Sequence, residues 1–228
     1  MKFDIITLFP EMFSAIKDEG VISRALKKSK IFIREWQLRD FSTNKYNNVD
    51  DKPYGGGGGM VMQVKPIRDC LRKIKEKEPE TKVIYLSPQG KPLDQQLVEK
   101  LATFDSLTLL CGRYEGVDER IILNDIDYEI SIGDYVISGG ELAAMVLIDS
   151  VSRHIPGVLG NNNSLNDSFS NNLLDYPQYT RPDSIDGEKV PEVLLSGNQA
   201  KIDAWREEQA IKKTKQKRPD ILSNYLID

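Results

Sequence analysis

The chain of 228 residues has one histidine, His154, and only two cysteines, Cys70 and Cys111. That scarcity excludes metal centres built on Cys and His, and without a CxxC pair the cysteines read as reduced core thiols. An excess of positive charge is also missing: 31 Lys and Arg stand against 35 Asp and Glu, a net charge of −4. No global field therefore gathers nucleic acid, and contact with a polyanion must come from local patches. The longest nearly unbroken apolar run, Leu142 to Ile148, is far short of the ~20 residues of a membrane span. The start, Met1-Lys2-Phe3-Asp4-Ile5-Ile6, lacks the apolar core and small-residue cleavage site of a signal peptide. No GxxxxGK[ST], GxGxxG or GxSxG motif occurs, and one histidine leaves little room for a Ser-His-Asp triad. The expectation is a cytoplasmic globular protein, long enough for a sizeable core, as one large domain or a large-plus-small pair.

Apolar, β-branched runs alternate with helical patterns. Strands are expected at Phe3–Phe9, Ile31–Leu38, Val83–Ser87, Leu107–Gly112 and Tyr128–Ile132. Ile67, Cys70, Leu71 and Ile74 fall on one face of a helix, and Leu97, Val98, Leu101 and Phe104 repeat the spacing. Glu141–Val151 is apolar nearly all round, which predicts a helix buried on most sides. Alternation of this kind argues for an α/β, mostly parallel sheet. The composition then breaks at Gly160–Asn172, GNNNSLNDSFSNN, with six Asn and three Ser in thirteen residues, the signature of a linker or loop. A helix is expected at Gln199–Lys213, and the basic run Lys212–Arg218 follows. The expected division is an α/β domain at 1–160, a flexible linker at 161–172 and a small, mainly helical domain at 173–228.

Three strands each run into a Gly- or Pro-marked turn: Leu86-Ser87-Pro88-Gln89-Gly90, Cys111-Gly112-Arg113-Tyr114-Glu115-Gly116, and Ile132-Gly133-Asp134-Tyr135-Val136-Ile137-Ser138-Gly139-Gly140. Open α/β sheets bind ligands at the carboxyl ends of strands, and glycines let main-chain groups approach a ligand edge. Three such turns suit a flat heteroaromatic ring held by main chain. Pro53-Tyr54-Gly55-Gly56-Gly57-Gly58-Gly59-Met60 reads as a surface loop, or as a segment that closes over a ligand, since five glycines are costly to order. Two basic stretches, Arg24–Lys30 and Lys212–Arg218, suggest localised contact with a polyanion.

These blocks together resemble the bacterial tRNA (guanine-N1)-methyltransferase family. The resemblance runs through Pro53–Met60, Tyr85–Gly90, Cys111–Arg120, Ile132–Leu142, Arg153–Gly160, Tyr179–Pro182 and Leu194–Asn198. It covers residue 1 to about 222 in order. It implies a SPOUT-type domain with a C-terminal trefoil knot, a rare exception to unknotted topology. It implies that the knot binds S-adenosyl-L-methionine through Tyr85, Leu86, Ser87, Pro88, Gly112, Tyr114, Glu115, Gly116, Ile132, Gly133, Asp134, Tyr135, Val136, Ile137, Ser138, Gly139 and Gly140. It further implies a homodimer with active sites at the subunit interface, and tRNA as substrate.

The implied reaction is methylation of N1 of the guanosine immediately 3′ of the anticodon. The family's base, the Asp of an E-D-S-F block, matches Asp167 of Asn166-Asp167-Ser168-Phe169; its charge-stabilising arginine matches Arg153. Glu115 and Asp175 match further site carboxylates, and Lys212, Lys213, Lys215 and Lys217 are expected to hold tRNA phosphates. Magnesium is associated with catalysis in the family, but no dedicated site is visible here. Three departures stand out: Asn166 replaces a common Glu, Gln178 replaces a common His, and the linker is a residue shorter. The alternatives are a SPOUT enzyme acting on ribose or rRNA, and a non-catalytic RNA-binding module.

Overall fold

A computed structural model describes residues 1–160, 167–169 and 171–225. Residues 161–166 of the expected linker, Asn166 among them, lie outside that set. The chain divides into two compact units, Met1–Asn161 and Asn162–Asp228.

The first unit is built on β1 (Lys2–Thr7), β2 (Phe32–Gln37), β5 (Lys82–Pro92), β6 (Ser106–Cys111) and β7 (Tyr128–Ser131), with a short antiparallel pair, β3 (Asp50–Asp51) and β4 (Val61–Met62). The five longer elements pair in parallel in the order β2-β1-β6-β5-β7. Parallel strands are covered on both faces and so read as continuous apolar runs; every residue of β6 is buried. Side chains then alternate between two cores. Phe3, Ile5, Ile84, Leu86, Leu107, Leu109 and Cys111 pack under α2 (Gly20–Lys27), α4 (Gln95–Leu101) and α6 (Gly140–Ser152). Ile6, Val83, Tyr85 and Leu110 pack under α3 (Val64–Lys75) and α5 (Glu119–Asp125). A short helix, α1 (Ser14–Lys17), precedes α2. The helix starts follow from their caps: Asp94 Oδ1 accepts the Leu97 amide at 2.8 Å, and Asp118 Oδ1 accepts the Arg120 amide at 2.9 Å.

One charge sits inside β1. Asp4, 1% exposed, accepts bonds at 2.6 Å from Arg34 Nε and from Trp36 Nε1, both on neighbouring β2. A buried carboxylate is tolerable only when paired in this way.

One expectation is corrected and another refined. The strand read as Val83–Ser87 does not end there. It leaves the sheet at Leu86 and rejoins β7 at Lys91 and Pro92, a register shift that loops out the residues between. Ser87 Oγ accepts the Gln89 amide at 3.1 Å to shape that bend, and Pro88 brings no ladder donor. The helix expected at Glu141–Val151 is buried on most sides, with Ala143, Ala144, Leu147, Ile148 and Val151 inside, but it leaves a narrow stripe open: Leu142 and Val146, one turn apart, are 49% and 48% exposed in the single chain. Composition cannot show which face of an apolar helix its own chain leaves uncovered.

In the second unit, a hairpin joins β8 (Ser184–Ile185) and β9 (Glu188–Lys189). Its turn is Asp186-Gly187, both at positive φ, the chemistry a tight hairpin needs. Three helices follow: α7 (Glu192–Leu195), α8 (Gln199–Lys217) and α9 (Pro219–Tyr225). The Asn198 side chain caps α8. That helix runs past the expected Lys213, stopping where Pro219 disfavours a helical residue before it. Much of the basic run is therefore helical surface.

Candidate functional site

The bend inside β5 at residues 86–90 and the turns that follow β6 and β7 come together at one edge of the parallel sheet and enclose a cavity of about 260 Å3. This lies just under the roughly 300–1,000 Å3 of drug-sized ligand sites. Of the residues singled out for cofactor binding, Tyr85, Leu86, Ser87, Pro88, Gly112, Tyr114, Glu115, Gly116, Ile132, Gly133, Tyr135, Val136, Ile137, Ser138, Gly139 and Gly140 line it. Asp134 does not. The wall also contains Gln89, Arg113, Ile130, Ser131 and Ala143. Sequence reasoning passed over these, although Gln89, Arg113 and Ser131 adjoin a selected residue in the chain, Ile130 lies two before Ile132, and Ala143 sits three residues along the helix that Gly140 starts.

Close main-chain packing holds the turns together. The Gly140 amide donates to the Gly112 carbonyl at 2.9 Å, joining the second turn to the third. A Cβ on Gly140 would stand 2.7 Å from Cys111 Cα and 2.9 Å from Gly112 N. The first turn lies on β7 just as closely: a Cβ on Gly90 would meet the Glu129 carbonyl carbon and oxygen at 2.5 and 2.6 Å. Ser131 Oγ donates to the Gly133 carbonyl at 3.0 Å, opening the third turn.

The exit of the five-glycine segment is tied to the second turn. The Glu115 amide donates to the Met60 carbonyl at 2.9 Å, Met62 N to the Gly116 carbonyl at 2.9 Å, and Asp118 N to the Met62 carbonyl at 3.1 Å. Gly59 has φ +83° and its Cα faces the Glu115 side chain so closely that a Cβ would overlap the carboxylate. A side chain there would displace Glu115 from the cavity wall, which gives this glycine a role that sequence reading left open.

One charged pair anchors the cavity wall. Arg113 Nε meets Glu141 Oε2 at 2.9 Å, with Glu141 fully buried. Hydrogen bonding from the Arg120 guanidinium holds the Asp118 carboxyl down at about 2. Burial raises the Tyr85 hydroxyl above its ordinary value and raises the Cys111 thiol well above its own, with the nearby Glu141 charge adding to the latter. Cys70, also buried and free, is raised chiefly by burial. Both cysteines are inert under these conditions. Among the described residues, no group of three or more His, Cys, Asp or Glu is placed to hold a metal ion, and no helix is long and apolar enough to cross a membrane.

Arg153 caps the end of α6 in the first unit, half-buried. His154 shares a 2.9 Å hydrogen bond with the Gln95 side chain. Arg24, Lys27, Lys28 and Lys30 are exposed. Asp167 and Asp175 belong to the second unit and are half-buried. The Asp175 amide donates to Ser168 Oγ at 3.0 Å, and its carboxylate accepts from Gln178 Nε2 at 3.2 Å. Lys213 Nζ donates to the Asp175 carbonyl at 2.8 Å and so braces the segment that carries Asp175. Lys212, Lys215 and Lys217 are exposed. Thr214 locks the same segment, accepting from Leu174 N at 2.8 Å and donating to the Ala210 carbonyl at 2.7 Å.

Comparison with known proteins adds a specific likeness. The family model described as tRNA (Guanine-1)-methyltransferase TrmD matches residues 1–224. A curated tRNA (guanine-N(1)-)-methyltransferase of Vibrio vulnificus (strain YJ016) is 57% identical over 225 residues, covering 98% of this chain and 90% of the relative. One from Shewanella halifaxensis (strain HAW-EB4) is 57% identical over 229 residues, covering 100% of this chain and 92% of the relative.

Proposed function

This chain belongs to the tRNA (guanine-1)-methyltransferase family, and from that membership we propose that it methylates N1 of the guanosine immediately 3′ of the tRNA anticodon, with S-adenosyl-L-methionine as donor. The observation that carries the reading is the cavity at the sheet's carboxyl edge, walled by three turns packed main chain to main chain. Its lining mixes apolar side chains such as Leu86, Ile132, Ile137 and Ala143 with backbone at Gly112, Gly116 and Gly133. That mixture fits a ligand with a flat, polar-edged ring and an aliphatic arm. The strand-order crossovers and the turn contacts are compatible with the trefoil knot, which belongs to the proposal.

When bound, S-adenosyl-L-methionine supplies an electrophilic methyl group. The chain's own part is to make the guanine a nucleophile. N1 of neutral guanine bears a proton, and the Asp167 carboxylate accepts it, so that the N1 electron pair becomes available. Charge moving toward O6 as the proton leaves is met by the Arg153 guanidinium. Glu115 and Asp175 act as further carboxylates that hold the base. Asp167 belongs to the segment 161–172, proposed as an interdomain linker that takes its working geometry when tRNA docks. A homodimer completes the site, with the donor cavity of one subunit meeting the small domain of the other. The uncovered α6 stripe of Leu142 and Val146 supports such a contact. Magnesium would arrive with tRNA rather than at a protein cage. A cytoplasmic setting goes with a tRNA substrate.

The test is transfer of label from S-adenosyl-L-methionine to an unmodified tRNA transcript with guanosine 3′ of the anticodon, followed by nucleoside analysis. The expected product is 1-methylguanosine at that position. A ribose-methylated product, or label on rRNA alone, would move the chain to another SPOUT activity; RNA binding with no donor uptake would make it a binding module. For the tail, Lys212→Glu with Lys215→Glu should raise KM for tRNA and lower the salt slope of tRNA binding by about two. The maximal rate at saturating tRNA should stay as it was, and a fall in that rate with tRNA affinity intact would contradict a phosphate-holding role.

A further inference from the structure

Glu141 carries a charge at a place with no access to solvent, and none of the chemistry above uses it. It lies in the first turn of α6, where the helix dipole favours a carboxylate, and is 0% exposed. Its Oε1 accepts from Thr7 Oγ1 at 2.8 Å, and that hydroxyl in turn accepts the Phe9 amide at 2.9 Å. Its Oε2 takes Arg113 Nε at 2.9 Å. The same guanidinium donates through Nη1 to the Ser138 carbonyl at 3.0 Å and lies 4.5 Å from the Phe9 ring centre. Gly139 leaves the space it needs, since a Cβ there would stand 2.5 Å from Arg113 Cδ. The Arg113 amide meets Met62 Sδ at 3.2 Å.

The two side chains together thus join the end of β1, the turn at 112–116 and the turn at 138–140, and the last two both line the cavity. A buried ion pair contributes little net stability compared with a well-packed apolar pair. What it supplies is geometry, because the planar guanidinium fork fixes two acceptors at once in a way an ammonium cannot. We propose that Arg113 and Glu141 are a positioning pair that sets the separation of the second and third turns, and with it the shape of the donor cavity. The inference rests on the reading of that cavity as the donor site.

Two readouts on the full-length protein test the pair: calorimetric binding of S-adenosyl-L-homocysteine, and amide hydrogen exchange in peptides spanning 132–140, referenced to α3. Glu141→Gln and Arg113→Lys should each speed exchange over 132–140 at least tenfold and weaken binding at least tenfold, with KM for tRNA within twofold of wild type. Unchanged exchange over 132–140 in a folded variant, with only the thermal midpoint lowered, would overturn the proposal and leave the pair merely structural. If either variant fails to fold, Thr7→Val removes one bond to Glu141 while keeping the ion pair. A threefold or larger rise in the same exchange rates supports the pair there, and no rise overturns it. Should wild type itself take up no S-adenosyl-L-homocysteine while the variants still loosen 132–140, the donor reading fails and the positioning pair stands.

Discussion

Asp167→Asn should lower the catalytic constant for methyl transfer by roughly 10²–10⁴-fold, with the affinity for S-adenosyl-L-homocysteine unchanged. Asparagine keeps the size and the acceptor oxygen but cannot take up a proton at working pH. The cavity proposed for the donor belongs to the first unit and Asp167 to the second, so the two measurements separate chemistry from donor binding. Single-turnover rates with tRNA in excess are the measurement of choice, because they are insensitive to product release. A variant with wild-type turnover would remove Asp167 as the base and direct attention to Glu115 and Asp175. The Asn166 departure adds interest to this result: Asp167, proposed as the base, has no carboxylate beside it in sequence.

Gly90→Ala should have the second large effect, on the cavity itself. The added methyl would lie 2.5–2.6 Å from the Glu129 carbonyl group. Backbone cannot swing aside as the end of a side chain can. The Ser87–Gly90 bend must therefore lift from β7, carrying Leu86, Ser87 and Pro88 out of the cavity wall. Overpacking of this kind costs about 1–3 kcal/mol of stability, and S-adenosyl-L-homocysteine affinity should fall at least a hundredfold. Gly160→Ala is the matched control, because its Cβ meets nothing within 4 Å; it should leave both the thermal midpoint and donor affinity in place. Undiminished donor affinity in Gly90→Ala would mean that the bend contributes nothing to the binding surface.

The strands and the three turns were legible because continuous β-branched runs and Gly-Pro punctuation are local signals. Partnerships across the chain were not. Nothing near Arg113 announces Glu141, and nothing in the five-glycine run announces that Met60 and Met62 pair with Glu115 and Gly116. Loop boundaries failed for a related reason: the strand after Val83 seemed to stop at Ser87, but Gly90 lets it return to β7. Helix faces are the third blind spot. The apolar residues of α6 look alike in sequence, yet Leu147 and Ile148 are fully buried while Leu142 and Val146 face outward. Lys213 shows the limit for charge runs, since one lysine of a basic stretch can be committed to a backbone carbonyl beside others that are exposed.

The order β2-β1-β6-β5-β7 also sets a timetable for synthesis. β1 leaves the ribosome first, and β2 covers one of its edges soon after, but the other edge waits for β6, since Lys2 pairs with Ser106. At the ~5–20 residues per second of translation, that edge stays open for on the order of 5–20 s. During the wait, Phe3-Asp4-Ile5-Ile6-Thr7-Leu8-Phe9 is an apolar strand free to pair with another nascent chain. Asp4 interrupts it with a charge, the gatekeeper device that discourages such pairing. Once β2 arrives, Arg34 and Trp36 take up that carboxylate, so a group that protects the growing chain becomes part of the finished sheet.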